Sequence, residues 1–164
     1  DPCRSRGLGD VYKRQVSGGD DNKLLLWPLK YPLKKDEEIE PYILGEHRGK
    51  VVDLDFSKNG KYILSASWDG SIGIWDIKKR KNIKFLKGHR GPVYSVKYSK
   101  DNKYIYSSGY DGEIKLWDAI NGEYIRPLVK NGWGISVFEV NEKENFIAYG
   151  STAVSYTHLT LPTN

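Results

Sequence analysis

Short runs of alternating apolar and polar residues, separated by turn formers, occupy most of the chain between residues 16 and 153. Val52, Leu54 and Phe56 alternate with Asp53 and Asp55, and Ser57-Lys58-Asn59-Gly60 follows as a turn. Alternation with a period of two marks a half-buried strand. Tyr62–Ser67 reads as the next strand, and Asp69-Gly70 closes a tight hairpin in which glycine takes a positive φ at little cost. Residues 72–75 and 83–86 complete a set of four strands. The same plan returns in Val93–Tyr98, residues 104–108, the turn Asp111-Gly112, residues 114–117 and residues 124–128. Residues 17–27 read as the tail of an earlier set, and residues 135–140 and 145–150 as the first two strands of a later one. A charged, proline-bounded stretch, YPLKKDEEIEP at 31–41, predicts a surface insertion between the third and fourth strands of the earliest set, or beyond the fourth.

The sets recur at a fixed offset. His47 and His89, Asp69 and Asp111, and Trp75 and Trp117 each lie 42 residues apart. A period of about 40–45 residues, with Gly-His near its start and Trp-Asp near its end, is the signature of a four-stranded propeller blade. The segments from Glu46-His47 to Trp75-Asp76 and from Gly88-His89 to Trp117-Asp118 therefore resemble WD40 repeats. The resemblance implies an all-β fold, a partial WD40 β-propeller with two full four-stranded blades and two partial ones. The full repeats would span residues 46–87 and 88–130, the end of a blade and its connecting loop residues 16–45, and a partial repeat residues 131–153.

It also implies a brace within each blade: a hydrogen-bonded tetrad of the Asp in the hairpin, the His before the first strand, a Ser in the second and the Trp of the third. This maps onto His47, Ser65, Asp69 and Trp75, then onto His89, Ser107, Asp111 and Trp117, with Ser17, Asp21 and Trp27 in the incomplete first repeat. The last repeat departs from the pattern, carrying Asn131 and Tyr149 where His and Ser are expected, with Trp133 as an additional packing or rim aromatic.

The two ends stand apart. Residues 10–15, DVYKRQ, have a possible coding string whose reverse complement, read in another frame, encodes VSYTH, the sequence of residues 154–158. Both flanks resemble translated sequencing adaptors, so residues 1–15 and 154–164 are expected to be adaptor-derived. The one cysteine, Cys3, falls in such a flank, which leaves no disulfide or cysteine–zinc framework in the repeats. The net charge of +5 falls to about +3 once the flanks are set aside. A balance that small, spread over mixed signs, does not mark a nucleic-acid binder. No run approaches the roughly 18 apolar residues of a membrane helix.

Ser, His and Asp in one constellation are the parts of a hydrolytic triad. Here the set recurs with Trp as a fourth member and without a nucleophile-elbow sequence, so a structural brace and no catalytic residue is expected. Two histidines in separate repeats and no cysteine fit no common metal-ligand spacing, and no cofactor or small-molecule substrate is implied. Lys78, Lys79, Arg80 and Lys81 form the densest basic run; they could meet RNA or ribosomal phosphate, or decorate a solvated loop. Trp68 and Tyr110, each just before a tetrad Asp, together with Arg48 and Arg90, just after each His, form the expected partner-binding rim. Some WD40 proteins bind a ubiquitin-ligase adaptor through Trp-Asp-x-Arg; Lys78 and Ile120 stand in place of that arginine here.

The resemblance thus implies a non-enzymatic scaffold that binds proteins or peptides, intracellular and first of all cytoplasmic, with the nucleus left open and no membrane role. Two alternatives accompany it. One is an RNA- or ribosome-associated protein, since residues 65–70 and the long connection before them are similar to the receptors for activated C kinase; the other is an accessory propeller of a larger enzyme. Blades stabilise one another by stacking, so residues 16–153 expressed alone are expected to aggregate or to melt with low cooperativity. A sharp, reversible, monomeric calorimetric transition would contradict this.

Overall fold

The computed structural model describes residues 14–28, 39–143, 145–153 and 156–160, with Arg14 and 156–160 described by their backbone alone. Most of the insertion at 31–41 and of the two flanks lies outside the described residues. The chain forms β1 (Arg14–Gly18), β2 (Lys23–Pro28), β3 (Tyr42–Glu46), β4 (Val51–Phe56), β5 (Tyr62–Ser67), β6 (Ser71–Asp76) and β7 (Lys81–Lys87). It continues with β8 (Val93–Tyr98), β9 (Tyr104–Gly109), β10 (Glu113–Asp118), β11 (Tyr124–Lys130), β12 (Ile135–Asn141), β13 (Phe146–Ser151) and β14 (Tyr156–Thr160). All neighbours pair antiparallel, in sheets ordered β1-β2-β3, β4-β5-β6-β7, β8-β9-β10-β11 and β12-β13-β14. The described residues form an all-β fold, two complete four-stranded sheets between two three-stranded ones.

Strand pairing enters both ends that the sequence sets apart: β1 begins at Arg14, and β14 lies within residues 154–164. An open strand edge presents a row of unpaired N–H and C=O groups. The outer edge of β13 takes the extended segment that follows it, and this pairing is what an unfilled edge dictates.

Apolar cores lie between successive sheets. Val16, Leu24, Leu54, Ile63 and Trp75 fill the first interface, Leu64, Ile72, Leu86, Ile105 and Trp117 the second, and Ile114, Ile135, Phe138, Ile147 and Tyr149 the third. Each complete sheet is thus covered on both faces, which is why all six residues of β6 are buried. Tyr149, standing where the earlier sheets place Ser65 and Ser107, belongs to the third core and is 6% exposed.

The innermost strands β4, β8 and β12 lie side by side, one per sheet. Among the described residues their inner edges have no strand neighbour, so their N–H groups need other acceptors. Asp53 Oδ2 accepts from Ser95 Oγ (2.6 Å) and the Val96 amide (3.1 Å), and Asp55 Oδ2 from the Tyr98 amide (2.8 Å). Asn102 Oδ1 accepts from the Lys58 amide (2.7 Å), and Glu142 Oε1 from the Lys100 amide (3.0 Å). Lys97 pairs with Glu139 at the next step round. Asp53 is buried, and removing its carboxylate orphans two donors at a cost of about 1–3 kcal/mol each. Asp53→Ala is expected to raise the exchange rate of the Val96 amide at least about tenfold by separating β4 from β8, and unchanged protection would show that the apolar core alone holds them.

Candidate functional site

Each complete sheet carries one hydrogen-bonded chain across its strands. In the first, the Trp75 indole on β6 donates to Ser65 Oγ on β5 at 2.7 Å, and Ser65 Oγ lies 2.7 Å from His47 Nε2. His47 Nδ1 lies 3.1 Å from Asp69 Oδ2 in the β5–β6 hairpin. The carboxylate can only accept, so Nδ1 carries the proton, and Nε2 accepts from the Ser65 hydroxyl. Asp69 is held in turn by the Arg48 amide (2.9 Å), the Ser71 amide (2.8 Å) and the Ser71 hydroxyl (2.6 Å).

Local sequence sets this geometry. Gly70 takes φ +84° to turn the hairpin, and a Cβ on Gly45 would lie 2.1 Å from the Trp75 ring, so only glycine lets the chain before His47 cross that indole. Phe85 from β7 packs edge-on against both His47 and Trp75, with centroids 5.1 and 5.6 Å apart.

The second sheet repeats the chain: Trp117 Nε1 to Ser107 Oγ at 2.8 Å, Ser107 Oγ to His89 Nε2 at 2.7 Å, and His89 Nδ1 to Asp111 Oδ1 at 2.9 Å. Its surroundings differ. Where the first sheet has Gly73 opposite Phe85, the second has Lys115 opposite Pro127. The buried Lys115 ammonium pairs with Glu113 and lies 3.4 Å from Asp111 Oδ2. In the first three-stranded sheet Trp27 Nε1 donates to Ser17 Oγ at 2.9 Å, while Asp21 accepts from the Lys23 amide at 3.3 Å.

Burial pushes His47 below the ordinary imidazole value, and the opposing pull of Asp69 does not reverse it. Burial pushes Asp69 up, but the Ser71 hydroxyl and the Arg48 and Ser71 amides outweigh that and hold its carboxyl at about 2. Asp111 lies well below the usual carboxylate range although burial opposes this, because His89, the Arg90 amide and Lys115 favour its charge. The Ser–His–Asp connectivity is that of a hydrolytic triad. The difference lies at the serine: Ser65 and Ser107 are 0% exposed, and an indole N–H already occupies each hydroxyl oxygen. A nucleophile needs an oxygen open to its substrate, and both of these oxygens are buried beneath an indole.

The hairpin end of the sheets carries the other group of residues. Trp68 (49% exposed) and Tyr110 (63% exposed) stand on successive β5–β6 and β9–β10 hairpins, with Arg48 and Arg90 exposed beside them. Arg90 reaches Glu113 at 3.6 Å. Sequence reading missed Lys50, whose ammonium lies 5.3 Å over the Trp68 ring and 2.9 Å from Asp20, linking two neighbouring sheets. Trp133, 63% exposed, joins the same end, its backbone pressed against Gly112. The basic run falls at the opposite end, in the β6–β7 turn and the start of β7. There the Arg80 guanidinium lies 3.7 Å over the Tyr42 ring, and Lys79 lies 4.0 Å from Asp76. Among the described residues no group of three or more His, Cys, Asp or Glu is placed to hold a metal ion, and no helix is long and apolar enough to cross a membrane.

A 42-residue repeat, sheets of four antiparallel strands and a Trp–Ser–His–Asp chain in each complete sheet define a propeller repeat protein. Residues 40–76 and 80–118 match the WD40 family, described as WD domain, G-beta repeat, so the chain carries two WD40 repeats in the all-β fold of a partial WD40 propeller. Each matched segment supplies the outer strand of one sheet and the inner three of the next, which ties the sheets together covalently. The chain is similar to the ribosome biogenesis protein YTM1 of Vanderwaltozyma polyspora, 44% identical over 73 residues, covering 38% of this chain and 16% of that protein. It is also similar to ribosome assembly protein 4 of Chaetomium thermophilum, 37% identical over 76 residues, 46% of this chain and 14% of that protein. A third relative, the U5 small nuclear ribonucleoprotein 40 kDa protein of Dictyostelium discoideum, is 31% identical over 85 residues, 52% of this chain and 22% of the relative. The chain therefore spans less than a quarter of the length of these relatives.

His47 and Asp69 both titrate lower in the folded chain than in the unfolded one, so acid protonates the unfolded chain first. The His47 contribution is complete above its ordinary value of 6.5 and declines below it; that of Asp69 is complete above 3.8 and is lost as the pH falls toward about 2. Exchange protection of the Trp75 indole N–H, corrected for the intrinsic rate, is expected to fall on acidification from neutral pH, with Asp69→Asn flattening the lower part of the curve. Protection that rises on acidification would contradict the assignment.

Proposed function

We propose that the chain is part of a non-enzymatic WD40 scaffold that assembles protein complexes through the rim formed by Trp68, Tyr110, Arg48 and Arg90. The observation that carries this reading is two large aromatics left exposed on adjacent hairpins that the tetrads hold rigid. Aromatic and arginine side chains dominate binding energy at protein interfaces, and a rigid platform lowers the entropic cost of docking. The tetrads themselves serve as braces within this scaffold, with no catalytic part. The relatives' names concern ribosome biogenesis, ribosome assembly and a small nuclear ribonucleoprotein, which supports an intracellular role in building such particles, in the cytoplasm or the nucleus.

The same names favour a second reading, direct contact with RNA through Lys78, Lys79, Arg80 and Lys81. It is the weaker of the two, because Arg80 already stacks on Tyr42 and Lys79 sits by Asp76.

The test compares quantitative co-purification of protein partners with the full-length protein and its variants. Trp68→Ala with Tyr110→Ala is expected to lower recovery at least about tenfold, as hot-spot truncations do, with the strand signal in circular dichroism unchanged. Neutralising Lys78, Lys79 and Arg80 is expected to leave recovery intact. Partners retained by the rim variant, or released by ribonuclease, would overturn the proposal in favour of the RNA reading.

A further inference from the structure

At the end of the sheets opposite the aromatic rim, the two complete sheets meet in an open groove of about 350 Å³. Ile74 forms its floor with Tyr62 and Tyr98, and Ile83 and Ile120 stand at its lip. Ile120 is 90% exposed and Ile83 51%. The repeat makes the first value informative, since the residue 42 positions earlier than Ile120 is Lys78. A turn position that takes lysine in one sheet presents a β-branched hydrocarbon to water in the next.

Ile120 is held in place. Asp118 Oδ1 accepts from the Ile120 and Asn121 amides at 2.8 and 2.9 Å, and the Gly122 amide donates to the Asp118 carbonyl at 2.9 Å. Lys84 Nζ crosses from the neighbouring sheet to the Asn121 carbonyl at 2.5 Å. Gly122 takes φ +69°, and a Cβ there would lie 2.6 Å from Leu86 Cδ2, so the turn sits directly on β7. Both walls belong to complete sheets, and the groove does not depend on what lies beyond either end of the chain.

Lysines outnumber carboxylates around it, with Lys58, Lys61, Lys84, Lys100 and Lys103 exposed against Asp101, Asp118 and Glu123 in the adjoining turns. Lys58 and Lys61 are exposed in the β4–β5 turn and Lys84 lines the groove from β7 of the same sheet, and no carboxylate is among the described residues that line the groove. The nearby Asp101 is tied to Ser99 and the Lys103 amide, and Asp118 to its own turn. We infer that this groove binds an extended acidic segment of a protein, seating one aliphatic side chain between Ile83 and Ile120 while flanking carboxylates meet Lys58, Lys61 and Lys84. A single nucleic-acid strand would call for aromatic stacking platforms, and the exposed lip here is aliphatic.

The site is separate from the aromatic rim, so it stands or falls independently of the scaffold proposal. The probe is a fluorescein-labelled peptide of about ten residues with one leucine between blocks of aspartate and glutamate, titrated against the whole chain by anisotropy. Saturable binding is expected, weakened about tenfold by Ile120→Ser, as loss of a buried aliphatic contact implies, and by replacing the peptide leucine with serine. Lys58→Glu with Lys61→Glu is expected to weaken it further, and Trp68→Ala to leave it unchanged. Because Ile120 is almost wholly exposed, its replacement leaves the core intact. No saturable binding, or equal binding of the serine peptide, would overturn the inference. So would an oligouridine that competes with the peptide and shares its sensitivity to Ile120→Ser.

Discussion

The architecture depends on a chain of three hydrogen bonds buried in each complete sheet, from Trp N–H to Ser O–H to His to Asp. A blade is a narrow antiparallel ribbon with apolar cores on both faces, and its hydrophobic pattern and turns set which residues pair. The chain supplies direction. It joins the loop before the first strand, the second strand, the third strand and the hairpin between them, so none of these slides without orphaning a buried polar group. Each such group left unpaired costs about 1–3 kcal/mol, more than a formed bond contributes on its own.

From this brace the surfaces follow. Asp69 and Asp111 lie in the hairpins that present Trp68 and Tyr110, so the bonds that lock each sheet also fix the rim. At the opposite end, capping of the β10–β11 turn by Asp118 fixes Ile120 at the lip of the inter-sheet groove. Between sheets, the carboxylates of Asp53 and Asp55 meet the otherwise open inner edge of β8. Internal polar satisfaction thus determines which side chains are free to meet other molecules.

Much of the strand layout was legible in the sequence, because alternation and turn residues repeat with one period. The tetrad residues were nameable for the same reason, since His47, Asp69 and Trp75 each have a counterpart 42 positions on. What escaped notice was pairwise and local. The bond from Ser95 to Asp53 joins two residues at the same place in consecutive repeats, and such a contact is hidden by the very equivalence that reveals the repeat. The exchange of Gly73 and Phe85 for Lys115 and Pro127 involves strands whose register only the folded sheets define. Lys50 carries no motif, and its place on the rim follows from sheet stacking. The strand β14 reflects an open edge, a property of the fold that no local pattern announces.

The most direct test of the brace is the protonation state of His47, read from ¹⁵N chemical shifts of its two ring nitrogens between neutral pH and pH 5. A neutral ring with the proton on Nδ1, and with Nε2 accepting, is the predicted result, persisting below the pH at which a free imidazole becomes charged. A proton on Nε2 at neutral pH, or a ring that titrates like solvated histidine, would contradict it.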